Sequence, residues 1–232
     1  MFVNQTKARE AAYLFLAEND VFEFPIDVSS LIRKCGWYLS DLEEAARMGG
    51  LTPERFRSEI MRGGDGVVFH NPATDECRIV YEKKEHANFM RRLRFTLAHE
   101  IGHIALGHLK GNGWLNHNGK DEGCTARYMK YMEKEADYFA GVLLAPTNVM
   151  LHHGVKDEGD IKKYFGLSSA AAKVKRSHLK FVEEEKKIPA YRFFDELYRD
   201  YWGDERERFG PKERKQILRR SFPGKDKWKI SV

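Results

Sequence analysis

Three cysteines, no long apolar run and no charge excess over most of its length: what this 232-residue chain lacks already narrows its class. Cys35, Cys77 and Cys124 are dispersed and odd in number, which excludes a disulfide-stapled secreted scaffold and fits free thiols in a reducing cytoplasm. No run of 18 apolar residues appears, so no membrane span is expected. Met1-Phe-Val-Asn-Gln-Thr-Lys leads into an amphipathic stretch instead of the continuous apolar segment of a signal peptide. The net charge of +5 points to nucleic acid only until it is located: Lys212 to Val232 holds eight Lys or Arg against two acids, leaving +6 there and −1 over residues 1 to 211. A basic surface on the body is therefore not implied. The tail is expected to be disordered, and any weak nucleic-acid contact would run through it. With 42% hydrophobic and 32% charged residues, the chain can bury one good core and a small appendage.

What is there is an H-E-x-x-H motif, His99, Glu100 and His103, set in the run Arg94-Phe-Thr-Leu-Ala-His-Glu-Ile-Gly-His-Ile-Ala-Leu. Residues four apart on a helix lie about 6 Å apart along the axis on nearly one face, so both imidazoles reach a single metal ion. Glu100, turned by about 100° from His99, falls beside the metal, where a carboxylate takes a proton from bound water. The competing explanation is a chance match with both histidines packed in a helix. Phe95, Leu97, Ala98, Ile101, Ile104, Ala105 and Leu106 make the helix apolar almost all round, and buried histidines and a buried glutamate need partners. Gly107 reads as the helix stop.

Catalytic zinc usually takes three protein ligands and leaves the fourth position to water. A third histidine would have to stand at 109, where this chain has Leu109, and His108 misses by one residue. We therefore read His108 as a polar residue near the helix end and not as a ligand. The better source is the helix Tyr128 to Pro146, in which carboxylates interrupt an apolar stripe of Met132, Ala136, Phe139, Ala140, Leu143 and Leu144. Glu133 and Asp137 share one face, a turn apart, while Glu135 is about 200° from Glu133 and is expected to look outward. Glu133 is assigned as the third ligand and Asp137 as the acceptor that orients a ligand imidazole. A solvated acidic helix face is the alternative for both. Cys124, between the two helices, is read as a free thiol. Tyr128, Tyr131, His117 and Arg94 are the open candidates for an oxyanion donor.

Two motifs together, Arg94-Phe-Thr-Leu-Ala-His-Glu-Ile-Gly-His and Glu133-Lys-Glu-Ala-Asp-Tyr-Phe-Ala-Gly-Val-Leu-Leu-Ala-Pro146, resemble the paired signatures of the ImmA/IrrE family of metallopeptidases. In that family the first glutamate of the second motif binds the metal, which agrees by position with Glu133. The resemblance covers about residues 10 to 180. A long polar loop between the motifs and the tail beyond about residue 183 depart from it. It implies a zincin-like fold, zinc as cofactor, and a bacterial role on mobile elements or in stress responses. There, family members remove a helix-turn-helix repressor by proteolysis, so a protein substrate and partner of that kind are expected. Asp65-Gly-Val-Val-Phe-His and Arg78-Ile-Val-Tyr read as a hairpin, whose edge can pair with an extended substrate backbone.

The expected architecture is α+β: a mostly helical zincin-like core, a small antiparallel sheet or hairpin beside the motif helix, and a helical C-terminal extension. Residues 1–182 form the metallopeptidase domain, with the hairpin at about 66–82, the motif helix at about 89–107, the third-ligand helix at about 125–145 and further helices after it. Residues 183–232 form an aromatic helix and a basic tail. A helix is expected over 5–18 and another after Asp27, then a short strand from Trp37. Two short helices around Gly49-Gly-Leu-Thr resemble a helix-turn-helix but are read as a lid or packing element, because acids offset their arginines. His152 and His153 are expected in solvent. Lys173, Lys175, Arg176 and Lys180 mark a helix face that is solvated or touches phosphate. Glu183-Glu-Glu-Lys-Lys is read as a linker, and Tyr191, Phe194, Leu197, Tyr198, Tyr201 and Trp202 as a stripe that docks on the body. The function expected is a cytoplasmic zinc endopeptidase that cuts a repressor. The competing class is a non-hydrolytic module that sequesters a repressor or binds DNA, with a toxin-antitoxin component a third possibility.

Overall fold

The structure, a computed structural model, describes residues 3–84, 89–109, 115–116, 126–203 and 211–223. The chain divides into two compact units, one made of residues 1–3 and 27–137, the other of 4–26 and 138–232.

The first unit is built on a four-stranded mixed sheet in the order β1 (Tyr38–Asp41), β3 (Glu76–Tyr81), β2 (Gly66–Asn71), β4 (Leu115–Asn116). β2 and β3 form the expected hairpin, with Val67 opposite Val80 and Val68 opposite Ile79. Its turn is closed by Asp75 at φ +56° and by Asn71, whose side chain accepts from the Ala73 N–H. β1 joins in parallel, so the sheet is mixed and not the purely antiparallel one expected. β4 pairs with Phe69 and His70, so part of the hairpin's outer edge is already occupied.

Strand alternation covers both sheet faces. Val67 and Val80 pack with Leu42, Ala45, Ala46, Phe56 and Met61. Leu42, Ala45 and Ala46 come from α3 (Leu42–Met48), Phe56 opens the wider π-type turn Phe56–Ile60 that follows α4 (Pro53–Arg55), and Met61 closes that turn. The helix-turn-helix-like pair is thus a packing element. Asp41 and Thr52 cap its helices by accepting from the N–H groups of Glu44 and Arg55. The opposite face, with Val68 and Ile79, lies toward α5 (Phe89–Ala105), flanked in turn by α2 (Val28–Lys34). Leu93, Leu97, Ala98, Ile101 and Ala105 are buried, as the apolar pattern requires. The boundary between the units falls inside α6 (Ala126–Leu144).

In the second unit α1 (Gln5–Glu18) packs on α11 (Pro189–Trp202), alongside α7 (Thr147–His152), α8 (Glu158–Phe165), α9 (Ser169–His178), α10 (Val182–Glu185) and α12 (Pro211–Ser221). The aromatic stripe docks as expected: Tyr191, Phe194, Leu197 and Tyr198 are buried, and Tyr13 meets Tyr191 edge-on at 5.2 Å. Three expectations change. The segment read as a linker belongs to this unit together with 138–182, and Glu185 within it is 1% exposed, accepting from the Tyr13 hydroxyl. Lys175 is buried and donates to Thr147 Oγ1 at 3.1 Å, whereas Lys173, Arg176 and Lys180 stay exposed. His152 and His153 stay exposed, as expected, while pairing with Asp195 and with the Tyr198 hydroxyl at 2.9 and 2.7 Å. The start of the basic tail is a docked helix, with Leu218 buried and Arg214 paired with Asp20 at 2.9 Å. The tail beyond Pro223 lies outside the described residues. Among the described residues, no helix is long and apolar enough to cross a membrane.

Candidate metal centre

α5 turns Glu100 toward β2 and His99 and His103 toward α6, which brings Glu133 and Asp137 against them. His103 Nε2 lies 3.0 Å from His99 Nε2, and the Glu133 carboxylate oxygens lie 3.1 Å from His99 Nε2 and 3.4 Å from His103 Nε2. A tetrahedral zinc with bonds of about 2.0–2.1 Å sets its ligand atoms about 3.3 Å apart, so this triangle has the dimensions of one coordination face. Among the described residues, His99, His103 and Glu133 are the group whose donor atoms converge this way. The chemistry of the donors fits as well. His99 Nδ1 lies 3.0 Å from Asp137 Oδ1 and donates to it, which leaves a lone pair on His99 Nε2 aimed at the other two donors. Lone pairs and a carboxylate at such distances need a proton or a cation between them. In the protein without metal the proton serves: burial lowers the His99 pKa, but Asp137 and Glu133 outweigh it and hold the value at about 10.

Glu100 is 2% exposed, and burial, the largest effect, raises its carboxyl to about 8 with a further push from Glu133. His99 and a hydrogen bond from the Val68 backbone N–H act in the opposite direction. β2 approaches closely here: a Cβ at Gly66 would stand 2.5 Å from Thr96 Cγ2 and 3.2 Å from Glu100 Oε1. A glycine within a strand can mark such an approach, but in Gly63-Gly64-Asp65-Gly66 the sequence alone reads as a turn. Exposure rises across the site, from 0% for the His103 side chain through 14% for His99 to 42% for Glu133 and 56% for Asp137. The donor cluster is therefore open on its α6 side.

One residue, Glu135, departs from expectation, and His108, a non-ligand at the helix end as expected, takes a position that spacing does not show. His108 does not continue the helix. Gly107 takes φ +70°, its N–H donates to the Ile104 carbonyl, and the His108 N–H donates to the His103 carbonyl, both at 3.0 Å. This left-handed helix end folds the chain back on itself. His108 Nδ1 then sits 3.0 Å from His103 Nδ1, with its side chain 4% exposed. Glu135, expected outward, is 12% exposed, with Oε2 at 3.4 Å from His108 Nε2, because the reversed chain returns over its side of α6. Of the oxyanion candidates, Tyr131 accepts from Arg127 Nε at 2.6 Å, Arg94 is half-buried with its pKa lowered by burial, and Tyr128 is exposed. His117 and Cys124 lie outside the described residues, as does the loop between the ligand helices apart from β4.

An H-E-x-x-H helix on the face of a small sheet, a carboxylate ligand from the next helix and a buried glutamate beside them define a zincin-like metallopeptidase centre. Residues 63–177 match the peptidase M78 family model, the IrrE N-terminal-like domain. That segment, just under half of the chain, contains every residue of the centre and supports the resemblance to the ImmA/IrrE metallopeptidases. No curated protein matches the chain.

Proposed function

We propose that this protein is a zinc-dependent endopeptidase of the cytoplasm that cuts a helix-turn-helix transcriptional repressor, an anti-repressor role in a mobile element or a stress response. The observation that carries hydrolysis is Glu100, a buried carboxyl on the ligand helix with a backbone N–H directed to it. A purely structural metal site needs no such group and usually closes with a fourth protein ligand. Two imidazoles and a carboxylate are a donor set that catalytic zinc uses, and they support zinc over the harder ions, which favour all-oxygen sites. When bound, zinc supplies Lewis acidity and a water acidified to a pKa of about 7.

The chain's own residues do the rest. His99, His103 and Glu133 hold the ion, and Asp137 fixes the His99 ring by accepting its Nδ1–H. Glu100, buried beside the ligand histidines, takes a proton from the attacking water and returns it to the leaving amine nitrogen. The open α6 side leaves room for an extended peptide, which supports cleavage within a loop or unfolded segment. The choice of a repressor rests on the family resemblance, and the near-neutral body gives no competing reason to look for DNA there. Free Cys35 and Cys77 support a reducing compartment.

The test compares protein N-termini in host lysate treated with wild type or with Glu100→Gln, both confirmed to carry zinc. New termini confined to one or a few regulators, and present with wild type alone, are expected. Identical termini in both arms, with both forms still binding one regulator, would instead favour the sequestering module or a toxin-antitoxin component.

A further inference from the structure

We propose that His108 and Glu135 form a positioning relay that fixes His103 as its Nδ1–H tautomer and so holds the Nε2 lone pair on the metal. The proposal rests on the metal-site reading above and adds two residues to it. The two ligand histidines face different neighbours. Asp137 takes the His99 Nδ1–H directly, at 3.0 Å. His103 is fully buried, and its Nδ1 faces another imidazole nitrogen, His108 Nδ1, also at 3.0 Å. One proton sits between those two nitrogens, so one ring donates and the other accepts.

The neighbours beyond decide which. His108 Nε2 faces Glu135 Oε2 at 3.4 Å, and a carboxylate accepts, so His108 carries its hydrogen on Nε2 and accepts on Nδ1. His103 must then donate from Nδ1, leaving Nε2 bare and 3.0 Å from His99 Nε2. Each ligand ring is thus oriented by a carboxylate of α6, directly for His99 and through one intervening imidazole for His103. Burial strengthens the arrangement, since at 4% side-chain exposure for His108 little water competes for these hydrogen bonds. Gly107 makes it possible: only its left-handed turn brings a residue five places on back beneath His103.

The experiment measures zinc affinity by chelator competition on the full chain, together with the melting temperature of the metal-free protein, for wild type, His108→Phe, His108→Gln and Glu135→Leu. Phenylalanine fills the space but accepts nothing. Glutamine restores an acceptor for His103 and a donor for Glu135. Loss of such a partner costs about 10–100-fold in metal affinity, and that loss is expected for His108→Phe, with His108→Gln recovering most of it. Glu135→Leu should lose about tenfold and carries the test should His108→Phe fail to fold. Proton NMR of the zinc-loaded protein should show a protected His103 Nδ1–H in wild type and His108→Gln that His108→Phe lacks. Wild-type zinc affinity in His108→Phe or Glu135→Leu, or equal losses for Phe and Gln, would overturn the relay and leave only a packing role. A wild type that takes up no zinc would overturn the metal-site reading and the relay together.

Discussion

Gly66→Ala tests whether the sheet holds Glu100 in place. Gly66 has no positive φ, so alanine is compatible with the backbone and the effect must come from space alone. The added Cβ would stand 2.5 Å from Thr96 Cγ2, against about 3.5–4.0 Å for carbons in comfortable contact. β2 and α5 must separate locally by about 1 Å, and overpacking of that kind costs about 1–3 kcal/mol. The same displacement lengthens the bond from the Val68 N–H to Glu100, so hydrolytic activity should fall together with stability. For a chain of this size the cost corresponds to a fall of roughly 3–10 °C in melting temperature. The assay is a double-mutant cycle by thermal or urea unfolding. Thr96→Ser removes the clashing Cγ2, so Gly66→Ala/Thr96→Ser should recover at least half of the loss. A neutral Gly66→Ala, or a double variant as unstable as the single one, would refute the close approach as the reason for glycine at this position.

Glu133→Ala removes one of the three converging donors and should weaken zinc by more than the roughly 10–100-fold that an outer partner costs; unchanged affinity in chelator competition would remove Glu133 from the ligand set. Tyr13→Phe deletes the hydroxyl that donates to Glu185 and accepts from the Thr147 N–H, and should cost about 1.5–3 kcal/mol in urea unfolding, with no change if the pair contributes nothing. Cys77 is buried, and burial with the nearby Asp75 lifts its thiol from 9.0 to about 12. At pH 8 its thiolate fraction is then about a thousandfold smaller than that of a thiol at 9.0, so in Cys35→Ser/Cys124→Ser it should react with a disulfide reagent only slowly until the protein unfolds. Fast native reaction would contradict the burial.

The site was legible in the sequence because both halves of it are written in helical spacing. His99 and His103 at i and i+4, with Glu100 between, need only one helix to converge. Glu133 and Asp137 repeat the geometry on a second helix, with their apolar stripe showing which face turns inward. The 3.6-residue period acts over a few residues, and no distant contact is needed to state it. The same holds for the hairpin, α1 and the aromatic face of α11. His108 was rightly read as a non-ligand at the helix end, but its return beneath His103 was not legible, because the spacing shows where Gly107 stops the helix and not where the reversed chain goes. Glu135 was misjudged because the spacing of α6 does not show that His108 comes to lie against it.

In the second unit, Glu183 to Lys187 carries charges in a row and reads as solvated. Yet Glu185 is buried against Tyr13, 172 positions away in the chain, and Lys175 against Thr147, 28 positions away. Partners at such separations leave no periodic trace in one sequence, because burial of a charge is decided by what the fold brings beside it. The parallel pairing of β1 with β3 is of the same kind. By itself, then, the sequence determined the two motif helices, α1, the aromatic helix α11, the hairpin and the set of groups on the motif faces. Only the tertiary structure decided the closeness of Gly66 to Glu100, the return of His108 beneath His103, and which charges lie inside, since those depend on chain reversals and distant neighbours that local spacing does not encode.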